Sequence, residues 1–304
     1  MAYPSASGHG NLPNGSFSPV VYSKKVLKFF KIKSVADEIT NTDFEGEITQ
    51  MGDTVKIIKQ PIVSTGTYQR GTILSTQDLV DEDLSMVIDQ GKYYQFGMDD
   101  IERAHQHVSF EDMATDSAAY ALKNGFDSDI LTVISAGATA ANVVGSSGSE
   151  ETVGYGAGND FTPLNIINRL SRLLDEQNIP EDGRWFVAAP AFYEALGDED
   201  SKLIDIAVTG DPTSLLRDVK VATSRPVHGF TMFKSNNTPE NASGNPLLLA
   251  GHVSAVATAT SILTSEKLRN PNTFGDLYRG LLVYGRKVLR PSALAVAHVT
   301  IGNL

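Results

Sequence analysis

A chain that reads VSFEDMATDSAAYALKNGFDSDILTVISA at residues 108 to 136 has a long helix to build around. Ser109 can cap the first free N–H groups, with Asp112 three residues on completing the capping pattern. Phe110, Met113, Ala114, Ala118, Ala121, Leu122, Phe126, Ile130 and Ile134 then recur at three- and four-residue steps, one apolar stripe at helical period. Asp112, Asp116, Lys123, Asp127 and Asp129 fall mostly off that stripe. Unbroken, the helix is about 43 Å long, against a mean of about 11–12 residues for helices generally. Asn124-Gly125 is the alternative stop, with Asp127 or Ser128 capping a second helix. The stripe keeps phase across Gly125, which favours a single helix.

Before this stretch the chain has two different characters. Residues 1 to 18 are rich in Gly, Ser, Pro and Asn and read as a flexible arm. After Pro19, a short apolar segment with Lys24 and Lys25 on its flank fits a helix packed on its own domain. It fits equally an arm that docks on a neighbouring chain. Residues 53–59 alternate as a strand, and 84–98 read as a second strand carrying Tyr93, Tyr94 and Phe96. More than twenty residues separate them, too many for a tight hairpin. A long two-stranded ribbon is therefore expected, and such a ribbon is marginal unless it lies on another surface.

After the long helix, residues 136 to 160 are small and flexible in composition and mark a boundary. Thr162 and Pro163 then open a helix with Leu164, Ile167, Leu170 and Leu174 on one face. Residues 183–190 read as a buried strand followed by a short helix, and 219–224 and 228–236 as strands of one sheet. Residues 247–262 suit a buried strand and a packed segment, 279–291 one strand, and 293–301 a final strand with period-2 alternation. Helices and strands mix without regular βαβα order, which predicts an α+β fold with a domain inserted between the long helix and the last strands.

Chemistry is thin in this chain. It has no cysteine, so neither disulfides nor thiolate sites are available. The net charge of −11 argues against tight sequence-independent binding to nucleic-acid phosphates. No apolar run approaches the ~18 residues that suggest a membrane span. His105 and His107 sit near Asp99, Asp100 and Glu102, but two histidines two apart on a helix diverge, so a solvated surface is preferred to a metal site. Asp78, Asp81, Glu82 and Asp83 lack the calcium-loop pattern. Gly154, Gly156 and Gly158 lack phosphate-loop spacing, and Trp185 reads as core. No nucleophile or zincin motif is present, so no enzyme, catalytic residue, metal or cofactor is expected.

Several stretches resemble the major capsid proteins of tailed bacteriophages, the Hong Kong-phage capsid fold. The most specific is IDQGKYYQFGMDDIERAHQH at 88–107, running straight into the long helix. GRWFVAAPAFYEAL at 183–196 resembles the entry to that family's central domain. LLLAGHVSAVATATSI at 247–262, followed by YGRKVLRPSAL at 284–294, resembles the return to its outer strands. The likeness spans roughly residues 20 to 301 in consistent order.

The resemblance implies an N-terminal arm at 1–45 and an extended β-ribbon loop at 46–98. It implies a peripheral domain at 99–139 and 266–304 with its spine helix at 108–136, and an axial domain at 140–265. It further implies a homo-oligomer of hexamers and pentamers, closed as an icosahedral shell around double-stranded DNA without sequence-specific binding. A separate scaffolding protein, a portal, a place in the virion and assembly in the host cytoplasm belong to the same expectation, with no membrane. A compartment shell of the encapsulin kind, enclosing an enzyme cargo, is the alternative. The loop-to-neighbour lysine crosslink of some members is not expected: Lys56 and Lys59 lie at the ribbon's base and 62–83 holds no lysine. Opposed charges suggest a cross-subunit contact between Asp78, Asp81, Glu82 and Asp83 on one copy and Arg286, Lys287 and Arg290 on the next.

Overall fold

The computed structural model describes residues 34–43, 54–58, 61, 63–71, 73, 76–78, 83–101, 110–155, 158–197, 228–271 and 273–302. The expected segment after Pro19, the cap at Ser109, the cluster at Glu102, His105 and His107, Gly156 and the strand at 219–224 lie outside them.

The chain forms a one-turn helix α1 (Ala36–Ile39), a ribbon of β1 (Thr54–Ile58) and β2 (Asp83–Val87), strand β3 (Gln90–Asp99) and the long helix α2 (Phe110–Gly137). Then come β4 (Val143–Val144), β5 (Glu151–Val153), α3 (Pro163–Glu176), β6 (Arg184–Ala188) and α4 (Pro190–Leu196). The last part is strands: β7 (Thr231–Lys234), β8 (Leu248–His252), β9 (Val256–Arg269), β10 (Gly275–Val288), β11 (Leu294–Ala297) and β12 (Val299–Ile301).

Helix α2 runs through Gly125 without a break, as the unshifted stripe predicts. Gly125 lies close under Lys92: a Cβ there would come 3.1 Å from Lys92 Nζ, which donates to the Gly125 carbonyl, so a larger residue would need that side chain to shift. Leu122, Phe126, Ile130, Leu131 and Ile134 are buried, whereas Met113, Ala114 and Ala118 are half-buried and Ala121 is exposed. Only the C-terminal half of the stripe therefore enters the core.

That half packs on a five-stranded sheet of order β4-β11-β8-β6-β7. The outer pairs β4–β11 and β6–β7 are parallel, and the inner pairs with β8 are antiparallel. Strand β6 is buried along its whole length because both faces are covered. Trp185 and Val187 face α2 with Leu249, Leu294 and Val296, in a cluster that also takes Val35, Ala36 and Ile39. Phe186 and Ala188 face the opposite way, against Ile166, Ile167, Leu170 and Phe192 of α3 and α4. Thr162 caps α3 as expected, accepting from Asn165 N at 3.3 Å. The packed face of α3 is Ile166, Ile167, Leu170, Leu173 and Leu174, with Leu164 only half-buried. Buried Arg184 at the start of β6 donates to Pro180 O at 2.9 Å and pairs with Asp175 at 2.7 Å.

A second sheet, β3-β10-β9, is antiparallel throughout. The strands of the fold differ from the expectation in three ways. The expected single strand at 84–98 is two strands in different sheets, parted at Ile88-Asp89, where the buried Ile88 side chain anchors the crossing. The packed segment expected after β8 is the start of the 14-residue strand β9. The expected strand at 293–301 divides at His298: β11 joins the five-stranded sheet and β12 pairs β5. β11 is buried at every residue, so its small-large alternation reflects two covered faces rather than one wet face. These last strands thus hydrogen-bond to strands drawn from 143–252, and β9 crosses residue 265 unbroken.

Candidate assembly surfaces

The three-stranded sheet has two faces with opposite fates. On the face toward α2, Tyr94 stacks near Phe96 and Phe96 stacks on Tyr278, with centroids 6.2 and 5.1 Å apart. Gly280 makes this possible, since a Cβ there would meet the Tyr94 ring at 2.3 Å. Nearer the base, Tyr284 meets Phe126 edge to face at 4.9 Å and donates to Asp129 Oδ2 at 2.9 Å. Burial first, and then that hydrogen bond to a carboxylate, hold the Tyr284 hydroxyl well above the ordinary phenol range.

The other face is covered only at its base. There Val55, Met86 and Ile88 of the ribbon and its crossing pack on Ala257, Ala259 and Val283. Farther out the register sets Tyr93 opposite Leu281, Gln95 opposite Arg279 and Gly97 opposite Leu277. Across β10, Arg279 faces Glu266 and Leu277 faces Leu268. Tyr93 is 76% exposed, Leu281 and Leu268 are each 41% exposed, and Phe274 at the β9–β10 turn is 83% exposed. Ile58, Val63, Tyr68 and Ile73 of the ribbon and the loop beyond it are exposed as well. Single exposed apolar residues are ordinary, but a row on one sheet face beside an uncovered ribbon is the mark of an interaction surface.

The seven charged residues singled out from the sequence separate into three groups. Asp83 pairs with Lys56 across the ribbon at 2.9 Å. The hydrogen bond and charge of Lys56 hold the Asp83 carboxyl below its ordinary range, and Asp83 raises Lys56 in return. Arg286 turns toward α2 and pairs with Asp129 at 3.0 Å. Both therefore have partners inside the chain. Asp78, Lys287 and Arg290 are exposed, with Lys287 on the ribbon side of β10 by strand alternation. Asp81 and Glu82 lie outside the described residues.

Asp127 and Asp129 fall beside the apolar stripe of α2. Asp127 is buried at 1% exposure, and Asp129 holds both Tyr284 and Arg286. No periodicity signals either role, because their partners come from strands and loops far along the chain. Asp100 binds Arg269, which also pairs with Asp276 at 3.3 Å. Among the described residues no cluster could hold a metal ion, and no helix is long and apolar enough to cross a membrane.

Comparison with known proteins agrees with this geometry. A family described as phage capsid protein matches residues 81–297, well over half of the chain. The solved structure of Mycobacterium phage Che8 superposes with a TM-score of 0.74 at 26% identity, covering 92% of this chain and 97% of that one. The capsid structure of the cyanophage P-SCSP1u gives 0.74 at 17% identity, covering 99% and 100%. The mature capsid of bacteriophage PhiM1 gives 0.68 at 16% identity, covering 94% and 92%. No curated protein matches the chain by sequence. All three structures are from phages, which favours a phage shell over the compartment-shell alternative. The chain belongs to the phage capsid protein family, as a major capsid protein of a tailed phage whose copies form the shell.

Proposed function

We propose that copies of this chain assemble as pentamers and hexamers into a closed icosahedral shell that encloses double-stranded DNA by confinement rather than by base recognition. The observation that carries this reading is the uncovered face of the three-stranded sheet, continuous with the patch its own ribbon covers. A ribbon and loop from a neighbouring copy, carrying Ile58, Val63, Tyr68 and Ile73, extend that layer over Tyr93, Leu281 and Leu268. Such a contact is heterologous, head to tail, the kind that closes rings. Net charge of −11 keeps the shell from binding packaged phosphates tightly.

Within that shell, residues 1–45 act as the arm and the ribbon with its loop as the extended loop. The five-stranded sheet with α3 and α4 forms the axial domain, to which 294–301 return, and β3, β9, β10 and the outer half of α2 form the peripheral one. Assembly takes place in the host cytoplasm, on a separate scaffolding protein and with a portal. Asp78, Asp81 and Glu82 set the register of the loop against Lys287 and Arg290 of the next copy, with Asp83 and Arg286 engaged within each subunit.

Electron microscopy of the purified chain, alone and co-expressed with its scaffolding protein, tests the reading. Closed shells of one diameter are expected, and a monomer under both conditions overturns it. Lys287→Glu with Arg290→Glu should reduce shell yield sharply while leaving subunit stability unchanged; ordinary yield removes the charge register.

A further inference from the structure

The most heavily hydrogen-bonded carboxylate among the described residues belongs to Asp127, and its two oxygens serve two different parts of the molecule. Oδ1 accepts from Val35 N and Ala36 N, each at 2.8 Å, and from Ser34 Oγ at 3.1 Å. Oδ2 accepts from Asn237 Nδ2 at 2.9 Å and Ser235 Oγ at 3.4 Å. The first set is where the N-terminal segment enters the subunit, beside the core residues Val35, Ala36 and Ile39. The second set is the turn after β7, itself tied to β6 through Ser235 N and Ala188 O at 3.1 Å. Asn237 Nδ2 also donates to Asn124 Oδ1 at 2.7 Å, one turn back on α2.

A buried carboxylate persists only where its lone pairs are met, and here five neutral donors meet them. The two oxygens are rigidly joined, so a rotation that follows one set of donors withdraws the acceptor from the other. We propose that Asp127 couples the root of the N-terminal segment to the five-stranded-sheet unit, through α2, so that neither shifts without loosening the other. In a shell whose subunits sit in different surroundings, the placement of Ser34–Ala36 in each copy is then set by the tilt of that unit. This consequence rests on the shell reading; the coupling itself does not.

Hydrogen exchange read by mass spectrometry on the full-length unassembled chain tests the coupling, and the same chain in shells tests its consequence. Asp127→Asn leaves one acceptor oxygen, which the two backbone N–H groups claim, so an amide then faces Asn237. Exchange over 235–238 should rise about tenfold, as loss of a hydrogen bond to a charged group implies, and Val35 and Ala36 should lose protection by a smaller factor. Adding Asn237→Asp restores an acceptor opposite that amide and should return the turn to its native exchange. Asn237→Ala, which opens only the Oδ2 side and removes no buried charge, should also speed exchange at Val35 and Ala36, by a smaller factor. It should further yield shells of more than one diameter. Failure of the double variant to restore a loosened turn, or unchanged exchange at Val35 and Ala36 in Asn237→Ala, overturns the coupling. Shells of a single diameter with the exchange changes present overturn only the consequence.

Discussion

The five-stranded sheet and the three-stranded sheet are built from similar strands and meet the same long helix, yet they end differently. In the first, each face of β6 has its own cluster of apolar partners, and Trp185, Phe186, Val187 and Ala188 are all at most 1% exposed. In the second, Tyr94, Phe96 and Tyr278 stack toward the helix while Tyr93, Leu281 and Leu268 face outward. One region completes itself; the other leaves an apolar layer exposed. A shell subunit needs both, because a unit that buried everything would have no drive to associate, and one that buried little would not hold its shape.

Substitutions can sharpen or break that contrast, and they rank by their cost to the unassembled subunit. Phe186→Ala, which removes the ring that packs 5.6 Å from Phe192 and 6.2 Å from Phe230, should cost about 3–5 kcal/mol in urea unfolding. Arg286→Glu replaces the cation that lies 3.0 Å from Asp129 with a second carboxylate, and should cost about 3 kcal/mol by the same measurement. A loss of yield in that variant would therefore reflect the subunit, not the contact between copies, which is why Lys287 and Arg290 are the sharper probes. Thr162→Ala removes the cap of α3 and should cost about 1 kcal/mol.

Tyr93→Thr with Leu281→Thr keeps β-formers on the open face and should change subunit stability by less than about 0.5 kcal/mol. Sedimentation and microscopy should nonetheless show shells failing to form. If these threonines leave assembly intact, the open face of the three-stranded sheet is not a contact between copies. The smallest effect belongs to the exposed Lys56–Asp83 pair. Asp83 is held below its ordinary 3.8 and Lys56 above its ordinary 10.5. The contribution of the pair is thus present at neutral pH. It fades as pH falls through the depressed carboxylate value or rises through the elevated lysine value. Side-chain NMR titration with and without added salt would show the ribbon's pairing loosen at both ends and under screening.

Much of this architecture could be read from residue spacing. The stripe of α2 kept its phase across Gly125, and the helix is continuous there. Thr162 and Pro163 announced α3, and RWFVA announced a strand buried on both faces. The strands near residues 84–98 and 293–301 were harder, since a strand that changes sheets looks in sequence like one that continues. Ile88 and His298 mark those crossings only because different partners wait on either side.

The charged residues show the limit most clearly. Composition and period placed Asp127 and Asp129 beside the apolar stripe, and Asp83 and Arg286 among the candidates for contact between copies. Local sequence sets which face of a helix or strand a residue occupies, because backbone geometry fixes the period. It does not set what lies opposite that face. Asp127 meets Val35 and Ala36 from about ninety residues before it and Asn237 from 110 residues after it, and Arg286 meets Asp129 across the core. Those encounters exist only once the chain is folded, and they decide which charges pair within the subunit and which stay exposed.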